Sequence, residues 1–235
     1  MTARRSELVT AAAGITGVVL VLAESATWRN PQFTDHLARI TTYFVGHRSM
    51  ALASLELGLA GTLVLLIFAA GLRGILRGGE GDADLLSTMA LAGGLLSVST
   101  EITFLMTTGA LTFVASHGSE SEIRLLLALE NWIDQFRFLP IGILVGAASL
   151  AMIGGRTFRR WIGWLGIVSG GLLVVSEGAN LDPLGLFGSS VSNAGQIGLP
   201  LAAIWIVAVS VSLIRRTVGA ASSHPRPTMT EHSTL

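Results

Sequence analysis

From Leu85 to Ser116 the chain reads LLSTMALAGGLLSVSTEITFLMTTGALTFVAS, with one ionisable side chain, Glu101. A helix of about 20 apolar residues crosses the hydrocarbon core of a bilayer, so this stretch is long enough to span one. Glu101 inside it, flanked by Ser97, Thr100, Thr103 and Thr107, is a costly residue to place in lipid and a candidate for function. The stretch recurs in kind along the chain. Runs of similar character cover about 8–27, 49–72, 138–155, 161–178 and 196–214. The expected architecture is an all-α polytopic membrane protein, six transmembrane helices in a bundle forming one domain over 1–216. The tail at 217–235, rich in Ser, Thr, Pro and His, reads as disordered.

Composition supports this class. Hydrophobic residues make up 51% of the chain and charged residues 13%, about half the charge of an ordinary soluble domain. There is no cysteine, hence no disulfide, thiolate metal site or catalytic thiol. All 15 basic residues are arginine, which excludes a lysine Schiff base. The net charge is zero and no basic block points to nucleic acid. Phosphate loops, dinucleotide fingerprints and nucleophile elbows are missing from the sequence. No catalytic residue and no cofactor is assigned.

The first run follows Arg4 and Arg5 and ends near Glu24 and Trp28. It reads as a membrane helix with an interfacial finish. The alternative is a signal peptide, with residues 1–26 removed. Asn30 and Pro31 then resemble a helix start. Phe33, Leu37, Ile40 and Phe44 make one apolar stripe, with Asp35, His36 and Arg39 off it. This predicts a short amphipathic helix over 31–45, lying in the membrane interface or packed on the bundle. Between Glu122 and Gly155 the pattern is composite. A Leu-rich segment carrying Glu130, Asp134 and Arg137 leads into a purely apolar run interrupted by Pro140. It is either one long helix that projects beyond the bilayer or a surface helix kinked at the proline.

The arginines set the expected orientation. Arg4/Arg5, Arg73/Arg77, Arg156/Arg159/Arg160 and Arg215/Arg216 fall on one side of a six-span topology. The positive-inside rule makes that side, and both termini, cytoplasmic.

Three glutamates follow a glycine at the same spacing: Gly17 and Glu24, Gly94 and Glu101, Gly170 and Glu177. This fits three helical hairpins from a duplicated unit. It places Glu24, Glu101 and Glu177 at one depth, on the side away from the arginines. Glu56, about 10 Å below the outer end of its own span, is expected to join them. Glu130, Asp134 and Arg137 share a helix face just above. These seven residues are the candidate ion- or ligand-binding set. One reading makes them an Arg–Glu network that ties helix ends together. Another makes them an outward-facing cavity for a proton, a cation or a cationic solute. His36, His47 and His117 fall on the same side but lack ligand spacing, so an intramembrane metalloenzyme is a third and weaker reading and no metal ligand is assigned. The small-residue pairs Gly142/Gly146 and Gly166/Gly170, with Gly58/Gly61 and Gly163/Gly166, allow close helix approach, within the bundle or in a homodimer.

At FRRWIGWLGIVSGGLLVV (158–175) a basic turn runs into Trp161, Ile162, Gly163 and Trp164. Here the chain resembles an uncharacterised bacterial family of six-helix membrane proteins, a domain of unknown function, with a similar hairpin order over about 8–214. The resemblance implies six helices, and neither an established activity nor catalytic residues. The Arg-only, Gly/Ala-rich composition is that of a high-GC bacterium. The expected role is structural or accessory in the bacterial inner membrane, with the lipid bilayer and a membrane-protein partner or second copy as the contacts.

Overall fold

The computed structural model describes residues 3–27, 36–77, 82–155, 158–180 and 194–222. Among these the secondary structure is helical throughout: α1 (Ala3–Thr27), α2 (Leu37–Gly46), α3 (Arg48–Leu76), α4 (Asp82–Val114), α5 (Glu120–Phe136), α6 (Phe138–Gly154), α7 (Arg160–Asn180) and α8 (Ala194–Ser222). Five segments are long and apolar enough to cross a membrane: α1, α3, α4, α5 and α6 taken together, and α8. The expected sixth span falls on α7, which is not among the five. Arg160, Ser169, Ser176 and Glu177 dilute its apolar residues. The proposed start at Asn30 and Pro31 and the tail beyond 222 lie outside the described residues, and the tail expected to be disordered from 217 is corrected over 217–222, which continue α8 as helix.

Six helices close a ring in the order α1, α3, α4, α6, α7, α8 and back to α1. Close approaches give the directions. Gly71 meets Thr10, while Gly58 meets the Glu24 chain, so α1 and α3 are antiparallel. Gly94 meets Ala69 and Gly109 meets Leu55, which makes α3 and α4 antiparallel as well. Gly93 lies on Leu144, Gly142 on Val174, and Gly195 on Ser176, continuing the alternation. Arg216 reaching Glu7 at 3.8 Å closes the circle between α8 and α1. Alternation puts Arg4/Arg5, Arg73/Arg77, Arg159/Arg160 and Arg215/Arg216 at one end of the bundle. All three hairpins bring Glu24, Glu101 and Glu177 to the other end.

Packing in lipid has no hydrophobic drive between helices, so close fit must supply it. The α6–α7 seam is the clearest case. A Cβ on Gly170 would lie 2.9 Å from both the Gly142 carbonyl oxygen and the Gly146 nitrogen. The two GxxxG pairs are thus used against each other inside the chain. Gly61 is likewise occupied against α1, and Gly58 against both α4 and α1. The ring is filled by Phe68 and Trp205, fully buried and meeting edge to face at 6.4 Å. Pro200 lies inside α8, which runs through it, and the buried Ser169 hydroxyl on α7 donates to the nearby Gly198 carbonyl at 2.9 Å.

The remaining helices build a cap on α4. At 1.5 Å per residue α4 is about 50 Å long, well over the roughly 30 Å of a hydrocarbon core. Its C-terminal part turns at 115–119 into α5. Ser119 and Glu122 start α5 with a capping box, an S-x-x-E signal the sequence carried plainly. α5 then returns along α4, and α6 continues down the same groove. The long-helix reading of 122–155 therefore describes the chain better than a surface helix, although the break comes at Arg137, ahead of Pro140. α2 closes the cap, but not as an interfacial helix presenting its apolar stripe to lipid. Ile40 and Phe44 are fully buried against Leu111, Ile123 and Leu127. Burying two large side chains there favours the protein over the interface, so the stripe packs on the bundle.

Candidate functional site

The end of the bundle away from the arginine clusters is organised by the break between α5 and α6. Pro140 lacks a backbone N–H, so the Phe136 carbonyl loses its helical donor and α5 ends there. The first N–H groups of α6 then have no acceptor in their own helix. One is satisfied across the bundle. The backbone N–H of Phe138 donates to Glu177 Oε1 on α7 at 3.1 Å, and Glu177 is 2% exposed. A carboxylate at a helix N-terminus also meets the positive end of the helix dipole. Glu177 is therefore a cap on α6 supplied by α7.

The preceding residue, Arg137, is gripped from the other side. Its Nε forms an ion pair with Asp134 Oδ1 at 2.9 Å, and its Nη1 lies 4.0 Å from Glu101 Oε2 on α4. Its guanidinium stands over the Phe104 and Phe138 rings at 5.3 and 5.8 Å, cation–π distances. The Arg137 and Glu101 side chains are 28% and 20% exposed, so the pair is screened from solvent without being sealed. One turn further along, the buried Glu130 accepts a hydrogen bond from the Thr108 hydroxyl. Glu24 on α1 lies in the electrostatic neighbourhood of Glu101, Arg137 and Asp134.

Five of the seven candidate residues, Glu24, Glu101, Asp134, Arg137 and Glu177, therefore gather around one arginine and one helix start, and Glu130 stands further along α5 against Thr108. Glu56 does not join them. It is exposed on α3, whose inward positions include Ser54 and Gly58. Two residues from either is a rotation of about 200°, so Glu56 faces away from the ring. The expectation that it joins the acidic layer is corrected. The polar stripe on α4 also plays a smaller part than its composition suggests. Thr100, Thr103 and Thr107 each donate to a carbonyl one turn back in α4. The threonine that reaches across is Thr108, which sequence reasoning missed. A signal existed: Glu101, Phe104 and Thr108 lie on one face of α4, and Arg137, Asp134 and Glu130 lie on one face of α5 in the opposite order. The Phe138 N–H has no sequence signature at all.

His47 and His117 stack on Tyr43 and Phe113 in their own segments and are exposed. Among the described residues no three histidines or carboxylates stand together as ligands for a metal. Chemically, the cluster holds helices by charge and presents three acids, Glu24, Glu101 and Asp134, to one guanidinium.

No family model matches the chain, and no curated protein or solved structure matches it either.

Proposed function

We propose that this protein is an accessory membrane subunit: a six-span bundle in the bacterial inner membrane, both termini cytoplasmic, that docks a membrane-protein partner on the α4–α5 hairpin. One observation carries the partner. Measured from Leu85, about 20 residues of α4 fill the hydrocarbon core. Phe113 stands about 12 Å beyond that point, yet it is 61% exposed, and Leu125 on the α5 arm of the same hairpin is 70% exposed. Leu129 and Trp132 share the exposed face of α5 with Leu125. Apolar side chains that lipid does not reach mark an interaction surface. The acids behind this face are engaged by the protein's own donors, which fits a clamp that stiffens the hairpin.

α7 serves as the sixth span. At about 31 Å its length matches the core, and it lies antiparallel between α6 and α8. With six spans, the four arginine clusters fall on the cytoplasmic side. The resemblance at residues 158–175 to a bacterial six-helix family agrees with this topology.

The test is a photo-crosslinking amino acid at Leu125 in native membranes. A discrete protein adduct is expected, lost when Phe113 and Leu129 are replaced by serine. Adducts to lipid alone refute the accessory reading. A periplasm-only reporter fused after Arg216 should be silent, and one near Ser190 active.

A second reading has its own observation. Glu24, Glu101 and Asp134 outnumber the single Arg137 among them. An excess of acid at a membrane boundary is what a proton or cation would occupy. Uptake or binding of a cation that is lost in Glu101→Gln, with the fold intact, would favour this reading.

A further inference from the structure

At the opposite end of the bundle, α7 and α8 enclose an open-sided groove of about 660 Å³ that the carboxylate cluster does not touch. Its mouth carries Arg159, Arg215 and Arg216, and its walls carry Ile204, Val207 and Val211. Arg216 is partly engaged, by Glu7 at 3.8 Å and by the Phe158 ring at 5.9 Å. Arg159 and Arg215 are exposed and have no carboxylate partner among the described residues. From Arg215 down to Ile204 the groove runs about 16 Å, close to half of a hydrocarbon core. Trp161, exposed at the mouth, stands where an interfacial aromatic residue belongs.

We propose that this groove is a binding site for an anionic phospholipid, with the phosphate held by Arg159 and Arg215 and one acyl chain lying along Ile204, Val207 and Val211. Charge selects the headgroup, since guanidinium groups bind phosphate oxygens in paired hydrogen bonds. Depth selects a lipid over a soluble phosphoester, because the apolar wall has no use for a ligand without a chain. The site lies within one leaflet whichever way the bundle is inserted, and it does not depend on the partner proposed above.

The experiment compares lipid retained by the purified full chain after reconstitution in phosphatidylcholine containing phosphatidylglycerol. Native mass spectrometry counts the bound lipid. Wild type is expected to retain phosphatidylglycerol preferentially. Arginine near a membrane surface contributes about five-fold in affinity for anionic lipid, so Arg159→Gln with Arg215→Gln should lower the preference about thirty-fold. Val207→Trp, which fills the groove and keeps both arginines, should also abolish retention. Arg4→Gln with Arg5→Gln, at the same end but outside the groove, should leave it unchanged. Equal retention in wild type and the Arg159/Arg215 variant overturns the proposal. So does full retention in Val207→Trp, or an equal loss in the Arg4/Arg5 variant, since either would place the effect on surface charge in general. Complete displacement by glycerol 3-phosphate would also overturn it, by showing a site for soluble phosphoesters.

Discussion

Glu177→Ala should be among the more damaging single substitutions in the bundle. Glu177 Oε1 accepts the Phe138 N–H at 3.1 Å in a site closed to solvent. Removing the acceptor leaves a buried backbone donor without a partner, which costs about 1–3 kcal/mol. The lost side-chain methylene adds about 0.8 kcal/mol, and the better helix propensity of alanine returns a few tenths. The sum is about 2.5 kcal/mol. Glu177→Gln keeps an oxygen in place but replaces a charge-assisted bond with a neutral one, about half as strong. Its cost should be about 1 kcal/mol. For a chain of this size each kcal/mol moves the melting midpoint by about 2–4 °C. The midpoint of thermal unfolding in detergent, followed by tryptophan fluorescence, should therefore fall by about 5–10 °C for the alanine variant and about 2–4 °C for the glutamine variant. Hydrogen exchange at the Phe138 amide should accelerate in step. An alanine variant melting within about 2 °C of wild type would refute the cap. A glutamine variant more stable than wild type would refute it differently, by showing that the buried charge costs more than it contributes.

Arg137→Ala should destabilise by about 1–3 kcal/mol, between the values for exposed and fully buried pairs, and Glu101→Gln in the same chain should restore part of the loss in a double-mutant melting cycle. Gly170→Ala should lower the midpoint by several degrees, because its Cβ would press on α6 backbone at 2.9 Å. Gly146→Ala should hold or raise it, since no atom lies within 4 Å of the new methyl group. Glu56→Gln should change stability by no more than about 0.5 kcal/mol, and it should leave Arg137→Ala unaltered when the two are combined.

Much of the architecture was legible in the chain. Apolar runs of bilayer length and arginine clusters between alternate runs require hairpins with their ends sorted by charge, because an unpaired charge is costly in hydrocarbon. The facing stripes of α4 and α5 were present too, as Glu101, Phe104 and Thr108 against Glu130, Asp134 and Arg137. Periodicity says which residues share a face. It does not say where that face points. In a soluble helix the polar side identifies solvent, but lipid and protein interior are equally apolar, so hydrophobicity leaves the rotation of a buried helix open. Only the packed structure turns Glu56 outward and the Ile40–Phe44 stripe inward. Only packing brings Glu177 to the Phe138 N–H, because an orphan backbone donor in the first turn of a helix has no residue type of its own. Contacts between helices distant in sequence settle these points, through close fits at glycines that the chain carries in many other places.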